Sequence, residues 1–382
     1  MTTDRLSIAV LGYGMIGRVH SLNYAELPFL YPGAIPRPVL HTVTTSRAET
    51  AAAAQAEAGF SHAGTDHRAA IASDEVDIVD VSLPNGLHRP VIEEALSAGK
   101  HVYCEKPLAG TIEDARAIVR AVAASPARFG MVFQYRFFPA IMRARHLIDE
   151  GRIGRIFTYR AEYLHTGYQN PQRPLSWRMK KEEGGSGALG DLGSHVIDLV
   201  RYLVGDFDSV QGHLETFIRE RPLAKGSSET GPVTVDDVAW MQARMVDGVV
   251  GSIEVSRFAT GTLDDLRIWI YGEKGALHFN LMDPGFLYFF DEAAPGGSYG
   301  GSRGWQRLET VSSYPDAQTP PARAPIGWIR SHAENQYQFL KAVAEGRDPS
   351  PGIMDGLRTQ LVIDAAERSA RDAGRWVGVE HE

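Results

Sequence analysis

The stretch "LSIAVLGYGMIG", residues 6–17, decides the fold. Six residues that are apolar at all but one position read as a buried strand, and they run straight into Gly12, Gly14 and Gly17 in the pattern G-x-G-x-x-G. The first glycine permits a tight turn, the second lets backbone approach a pyrophosphate, and the third lets the opening helix pack closely on the strand. The helix N-terminus then presents its free N–H groups to the phosphates. Gly12, Tyr13, Gly14, Met15 and Ile16 are the expected cradle; a glycine turn that holds no ligand is the alternative.

Outward from this turn, strand-like runs alternate with helix-like ones: "VLHTVTT", the Ala-rich "RAETAAAAQAEAG", "VDIVDVSL", "HRPVIEEALSAG", "HVYCEK", "TIEDARAIVRAVAASP" and "FGMVFQYRF". That rhythm predicts a Rossmann-type α/β domain with a parallel sheet over residues 1–126. Beyond about residue 155, period-two strands flank an Asp247-Gly248 turn and a "GEKG" turn at 272–275. They predict an α+β domain over 127–382, built on a large open, mostly antiparallel sheet. Gly, Pro and Ser density marks 219–234 and 292–325 as loops. The open sheet leaves a face for Trp240, Ile253 and Trp269 to form an apolar patch, so a homodimer or homotetramer is expected.

The chain has 382 residues, 43% of them hydrophobic and 23% charged, which suits two cores rather than one. A formal charge of -8 supplies no basic field for nucleic acid or an anionic membrane, so a small-molecule partner is expected. The single cysteine, Cys104, excludes an intrachain disulfide and a Cys-rich zinc site. No apolar run reaches the length of a membrane span, and the start lacks a signal-peptide pattern, so a cytoplasmic location is expected.

Three further segments carry chemistry. After the second strand, where an acid would select NAD, the chain reads Thr45, Ser46 and Arg47. A hydroxyl and a guanidinium suit a 2′-phosphate, which leans the reading to NADP over NAD, although Arg47 also fits a solvated helix start. "LPNGLH" then brings Leu83, Pro84, Asn85 and His88 to a strand's carboxyl end, where Asn85 is a cofactor contact, a helix cap, or both, since the two are compatible. "CEKPLA" brings Glu105 and Lys106 to the next strand end, as a surface ion pair or as part of a site. Finally, "GGSGALGDLGSHVIDL" spaces Asp191 and His195 four residues apart, on one helical turn and about 5–6 Å from each other. A carboxylate beside an imidazole makes a general acid-base, against Asp191 as a cap with His195 packed. A metal triad that adds Asp198 lacks a further ligand cluster, and no metal is expected.

Taken in order, "GYGMIG", "PNGLH", "CEKPLA" and "GDLGSHVIDL" resemble the Gfo/Idh/MocA oxidoreductase family over nearly the whole chain, in particular its inositol- and levoglucosan-type sugar dehydrogenases. The resemblance implies that Glu105 and Lys106 sit beside the nicotinamide ribose, with Lys106 on the reacting hydroxyl. It implies His195 as the acid-base, with Asp191 as its partner and a substrate contact. It places Gln134, Tyr135 and Arg136 at the cofactor and substrate cleft and Trp177 and Arg178 near the nicotinamide. Tyr163 joins Tyr135, Arg136, Trp177 and Arg178 as a residue suited to a polyhydroxylated ring. The expected reaction is hydride transfer between a secondary alcohol of a sugar, anhydrosugar or cyclic polyol and the nicotinamide. A non-catalytic nucleotide-binding regulator and a glycosidase that oxidises transiently with bound NAD are the other readings.

Overall fold

Strand β1 (Arg5–Leu11) of the computed structural model is buried at every position after its first residue, because both of its faces are covered by helices. The structure describes residues 4–310, 314–319, 324 and 327–382. β1 leads to α1 (Met15–Leu30), β2 (Arg37–Thr44), α2 (Ala48–Ala58), β3 (His62–Gly64), α3 (His67–Ala72) and β4 (Ile78–Val81). Then come α4 (His88–Ser97), β5 (His101–Cys104), α5 (Ile112–Ala123) and β6 (Phe129–Met131). Local chemistry sets these ends: Thr111 accepts a hydrogen bond from Asp114 N to start α5, a cap that stabilises by about 1 kcal/mol. All six strands are parallel, in the order β3-β2-β1-β4-β5-β6. The winding reverses between β1 and β4, and ligands of open α/β sheets collect at the carboxyl ends there.

The chain continues through α6 (Pro139–Asp149), β7 (Ile156–Leu164), the short α7 (Lys181–Gly184), α8 (Ser194–Leu203), β8 (Phe207–Glu215), β9 (Glu220–Pro222) and β10 (Thr230–Pro232). β11 (Val238–Met245), β12 (Val250–Ser256), β13 (Asp265–Gly272), β14 (Gly275–Asn280), β15 (Phe286–Asp291) and β16 (Trp305–Glu309) follow. α9 (Trp328–Glu345), α10 (Ile353–Arg371) and β17 (Val377–Gly378) end the order. Nine strands make one sheet in the order β16-β15-β14-β13-β7-β12-β11-β8-β17, antiparallel except for the β7/β12 pair. Gly248, at φ +83°, supplies the left-handed position of the β11–β12 turn. Among the described residues, no helix is long and apolar enough to cross a membrane.

Contacts divide the chain into two compact units, one within Met1–Phe137 and Ser312–Leu357, the other within Phe138–Val311 and Arg358–Glu382. This differs from a single cut at residue 126. β6 belongs to the parallel sheet, and α9 packs Tyr337, Phe339 and Leu340 into the core formed by Ile8, Val10, Tyr24, Val43 and Ile78.

Three expectations are corrected. The segment 219–234 is no simple loop: β9 and β10 pair as a ribbon, anchored by the buried Arg221, which donates to Tyr168 O (2.5 Å) and Asn170 O (2.8 Å). Within 292–325, Trp305–Glu309 forms the edge strand β16 on β15, while residues 311–313, 320–323 and 325 lie outside the described residues. Ile253 does not share a face with Trp240. The register pairs Trp240 with Glu254 and Met241 with Ile253, so Ile253 is buried and Trp240 stays exposed. Trp269 lies on the Trp240 face, stacked on His278 at 4.5 Å with the Arg160 guanidinium 5.3 Å from its ring.

Candidate active site

In the first unit the glycine turn has the geometry that a pyrophosphate needs. Gly12 sits at φ +93°, and a Cβ there would lie 2.3 Å from Ser82 O; at Gly17 it would lie 2.2 Å from Gly12 O. Those contacts draw β1, β4 and α1 together where a side chain cannot fit. At Gly14 a Cβ would meet nothing within 4 Å, and no side chain caps α1. The N-terminus of this helix is therefore open to an anion, and the residues present fit a dinucleotide. Met15 is exposed beside it. At the end of β2, Thr45 Oγ1 donates to Arg47 O (2.8 Å), while Ser46 and Arg47 are exposed at the start of α2.

After β4, Asn85 is buried and opens a short 3₁₀ turn through Leu87, directly ahead of α4. His88 is fully buried, with Nε2 3.0 Å from Leu83 O and Nδ1 3.2 Å from Leu108 O. Its ring ties the Leu83–Pro84 turn to the segment after β5, and burial lowers its pKa below the ordinary imidazole value. Cys104 is buried and its thiol is pushed up by burial, which makes it an inert packing residue. Glu105 is buried and Lys106 half-buried, so the pair is no surface ornament; Glu105 Oε2 accepts from Lys106 N at 3.1 Å. Gln134, Tyr135 and Arg136 form a buried 3₁₀ turn after β6. Arg136 is ion-paired to Asp355 (2.8 Å), and the Tyr135 hydroxyl accepts from Trp328 Nε1 (3.4 Å).

In the second unit the helix carrying the candidate acid-base is not regular. Leu189–Gly193 is a π-turn that runs into α8, so Asp191 and His195 are not on one α-helical turn as their spacing suggests. Such turns widen the backbone and occur often at functional sites. Asp191 is ion-paired to Arg257 Nη2 at 2.9 Å, and Arg257 Nη1 donates to Arg178 O (3.3 Å). Burial disfavours the Arg257 charge, but Asp191, Tyr168 and Asp236 raise its pKa above the ordinary value. Behind it, Asp236 accepts from Gly187 N (2.7 Å) and Leu189 N (2.8 Å), which pins the π-turn; burial raises the Asp236 pKa against those amides. His195 is buried with its ring 6.1 Å from that of Tyr163, whose hydroxyl donates to Asp264 (3.2 Å). The Arg178 guanidinium lies 4.3 Å from the Trp177 ring.

Three residues here escape a reading of the sequence. Arg257 carries no signal, because its partner stands 66 positions away. Asp80 is an acid inside an apolar strand, a signal in plain view, and His20 lies three positions after Gly17. His20 and Asp80 meet in the interior at 3.0 Å. Apart from all of these, His41 Nε2 is paired with Glu75 at 3.0 Å beside His62.

Residues 6–133 match the family described as "Oxidoreductase family, NAD-binding Rossmann fold", and residues 141–278 match "GFO/IDH/MocA C-terminal domain". Levoglucosan dehydrogenase of Pseudarthrobacter phenanthrenivorans is 36% identical, over 98% of this chain and 98% of its own. Inositol 2-dehydrogenase of Rhizobium meliloti is 27% identical over 79% of this chain and 80% of its own. Among solved structures, levoglucosan dehydrogenase in complex with NADH and levoglucosan superimposes with a TM-score of 0.93 at 37% identity, covering 99% of this chain and 100% of that one.

Proposed function

Because the chain belongs to the Gfo/Idh/MocA oxidoreductase family, we propose that it transfers hydride between a secondary alcohol of a sugar, anhydrosugar or cyclic polyol and a nicotinamide dinucleotide. The observation that carries this is the open N-terminus of α1, which follows β1 of the same parallel sheet whose β5 leads directly into Glu105 and Lys106. When bound, the cofactor supplies the hydride acceptor or donor at nicotinamide C4. Gly12, Tyr13, Gly14, Met15 and Ile16 hold its phosphates, and Leu83, Pro84, Asn85, Glu105 and Gln134 line it. His195 takes the hydroxyl proton as hydride leaves the carbinol carbon, while the Lys106 ammonium donates to the same oxygen as charge develops. Asp191, fixed by Arg257, orients the substrate hydroxyls. Tyr135, Arg136, Tyr163, Trp177 and Arg178 hold the ring by stacking and hydrogen bonding.

The test is absorbance at 340 nm with a panel of sugars, anhydrosugars and inositols. Hydrolysis with no net change at 340 nm, or dinucleotide binding with no turnover across the panel, overturns the proposal. For the cofactor, the absence of an acid among Thr45, Ser46 and Arg47 supports acceptance of NADP besides NAD. Arg47→Ala is then expected to lower kcat/KM with NADP about tenfold, one charged contact's worth, and to leave NAD unchanged. An equal effect on both assigns Arg47 to the helix start alone.

We also infer a homodimer or homotetramer in the cytoplasm, formed through the open face that carries Trp240, Arg160 and Trp269. Light scattering is expected to give at least twice the chain mass. Trp240→Glu is expected to shift that mass towards the monomer; an unchanged mass places the interface elsewhere.

A further inference from the structure

Behind the Glu105–Lys106 step lie two ionisable groups that the proposed reaction does not touch, His20 and Asp80, and His20 meets Glu105 itself. Asp80 on β4 and His20 on α1 are each 0% exposed, and Glu105 is 7% exposed. His20 Nδ1 stands 3.0 Å from both Asp80 oxygens, and its Nε2 stands 3.4 Å from Glu105 Oε1. The Tyr24 and Ser82 hydroxyls each donate to Asp80 at 2.9 Å. From β5 the Tyr103 ring lies 5.5 Å from the imidazole; from α9 the His332 ring lies 6.0 Å away, and Gln336 Nε2 donates to His20 O at 3.2 Å.

We propose that His20 is a positioning residue for cofactor binding: it clamps Glu105 to Asp80, so that the Glu105 carboxylate and the Lys106 after it keep one orientation at the carboxyl end of β5. The inference rests on the dinucleotide reading above. Its physical ground is the cost of the arrangement. A carboxylate out of water is expensive unless a cation and hydrogen bonds compensate it, and here one imidazolium serves two. Apolar side chains would fill the same space without that cost, so the charges hold something in place. Glu105 Oε2 is turned to Lys106 N and Oε1 to His20, which fixes the plane of the carboxylate. A carboxylate so held is a pure acceptor for paired ribose hydroxyls.

Burial alone would lower the His20 pKa, but Asp80 and Glu105 outweigh it and raise it to about 10. His332 does not compete for the proton, because burial, His20 and Lys106 hold it well below the ordinary value. The folded-state pKa of His20 lies above the unfolded one near 6.5, so the stability that the clamp contributes is complete below about pH 6.5 and is lost as pH rises through about 10.

The test is NADH and NADPH binding to the purified protein without substrate, followed by fluorescence between pH 6 and 10 for wild type, His20→Gln, Glu105→Gln and the double variant. Wild-type affinity is expected to be flat through neutrality and to fall towards pH 10. His20→Gln is expected to weaken binding at least tenfold at pH 7, and to remove the fall in affinity towards pH 10, because the group that loses its proton there is gone. Added to Glu105→Gln, it is expected to cost less than twofold. A folded His20→Gln protein with wild-type affinity, or the same loss in both backgrounds, overturns the clamp. Nitrogen-15 histidine spectra of the unaltered protein give a second readout should the variant not fold. A buried imidazole with both ring nitrogens protonated at pH 8 is expected, and its absence also overturns the clamp. Wild type that binds neither dinucleotide overturns the dinucleotide reading and the clamp with it, whereas tight wild-type binding with an indifferent His20→Gln overturns the clamp alone.

Discussion

Lys106→Ala is expected to lower kcat by about 10²–10³, the usual cost of removing one donor to a developing oxyanion, and His195→Asn by about 10²–10⁴. Lys106 leaves β5 beside a buried Glu105 that accepts from its amide, so the residue cannot swing far without its backbone moving. His195 is likewise held in the buried first turn of α8. If both act on one substrate oxygen, the double variant is expected to lose much less than the product of the two single losses. Product-like losses would mean two independent roles. Near-wild-type turnover in either single variant, with dinucleotide binding and circular dichroism unchanged, would sink the mechanism.

Arg257→Leu is expected to destabilise the protein by about 3 kcal/mol, the low end for breaking a buried ion pair, because Asp191 keeps some contact with solvent. The guanidinium is buried, serves Asp191 and Arg178 O, and lies 4.6 Å from the Tyr168 ring. Without it, Asp191 loses its ion pair and the buried Asp236 loses a neighbouring positive charge. A fall in the melting temperature of roughly 6–12 °C is expected for a domain of this size. Arg257→Leu combined with Asp191→Asn is expected to recover part of that loss, since the charge that lost its ion pair is removed as well. Turnover is expected to fall in both variants, because Asp191 loses the ion pair that fixes its carboxylate. An Arg257→Leu protein as stable as wild type would show that Asp191 and Asp236 are held by their hydrogen bonds alone.

The parallel domain was legible because its signals are local. Buried strands read as unbroken apolar runs, the three glycines stand at fixed offsets, and α3 and α5 carry their own caps in Asp66 and Thr111. Glu105 and Lys106 were legible as a motif but ambiguous as chemistry, since an exposed pair and a buried one have the same spelling. Alternation exposed the strands of the second sheet, yet it could not say which face is covered, and Ile253 was placed with Trp240 until the β11–β12 register separated them. The spacing of Asp191 and His195 presupposed 3.6 residues per turn, and the π-turn at Leu189–Gly193 departs from it because Asp236 holds the Gly187 and Leu189 amides.

By itself, the sequence determined the alternation of strands and helices in the parallel domain and the glycine turn after β1, while Lys106 and His195 became the groups to test through the family resemblance. The alternation and the turn follow from neighbours within a few positions, where propensity, periodicity and turn geometry act. Only the tertiary structure decided that α9 completes the first unit, that Arg257 serves Asp191 and that His20 joins Asp80 to Glu105. Those contacts join residues 60 or more positions apart. They arise because a buried charge must find a counter-charge wherever the packed chain brings one, and no rule of spacing records that.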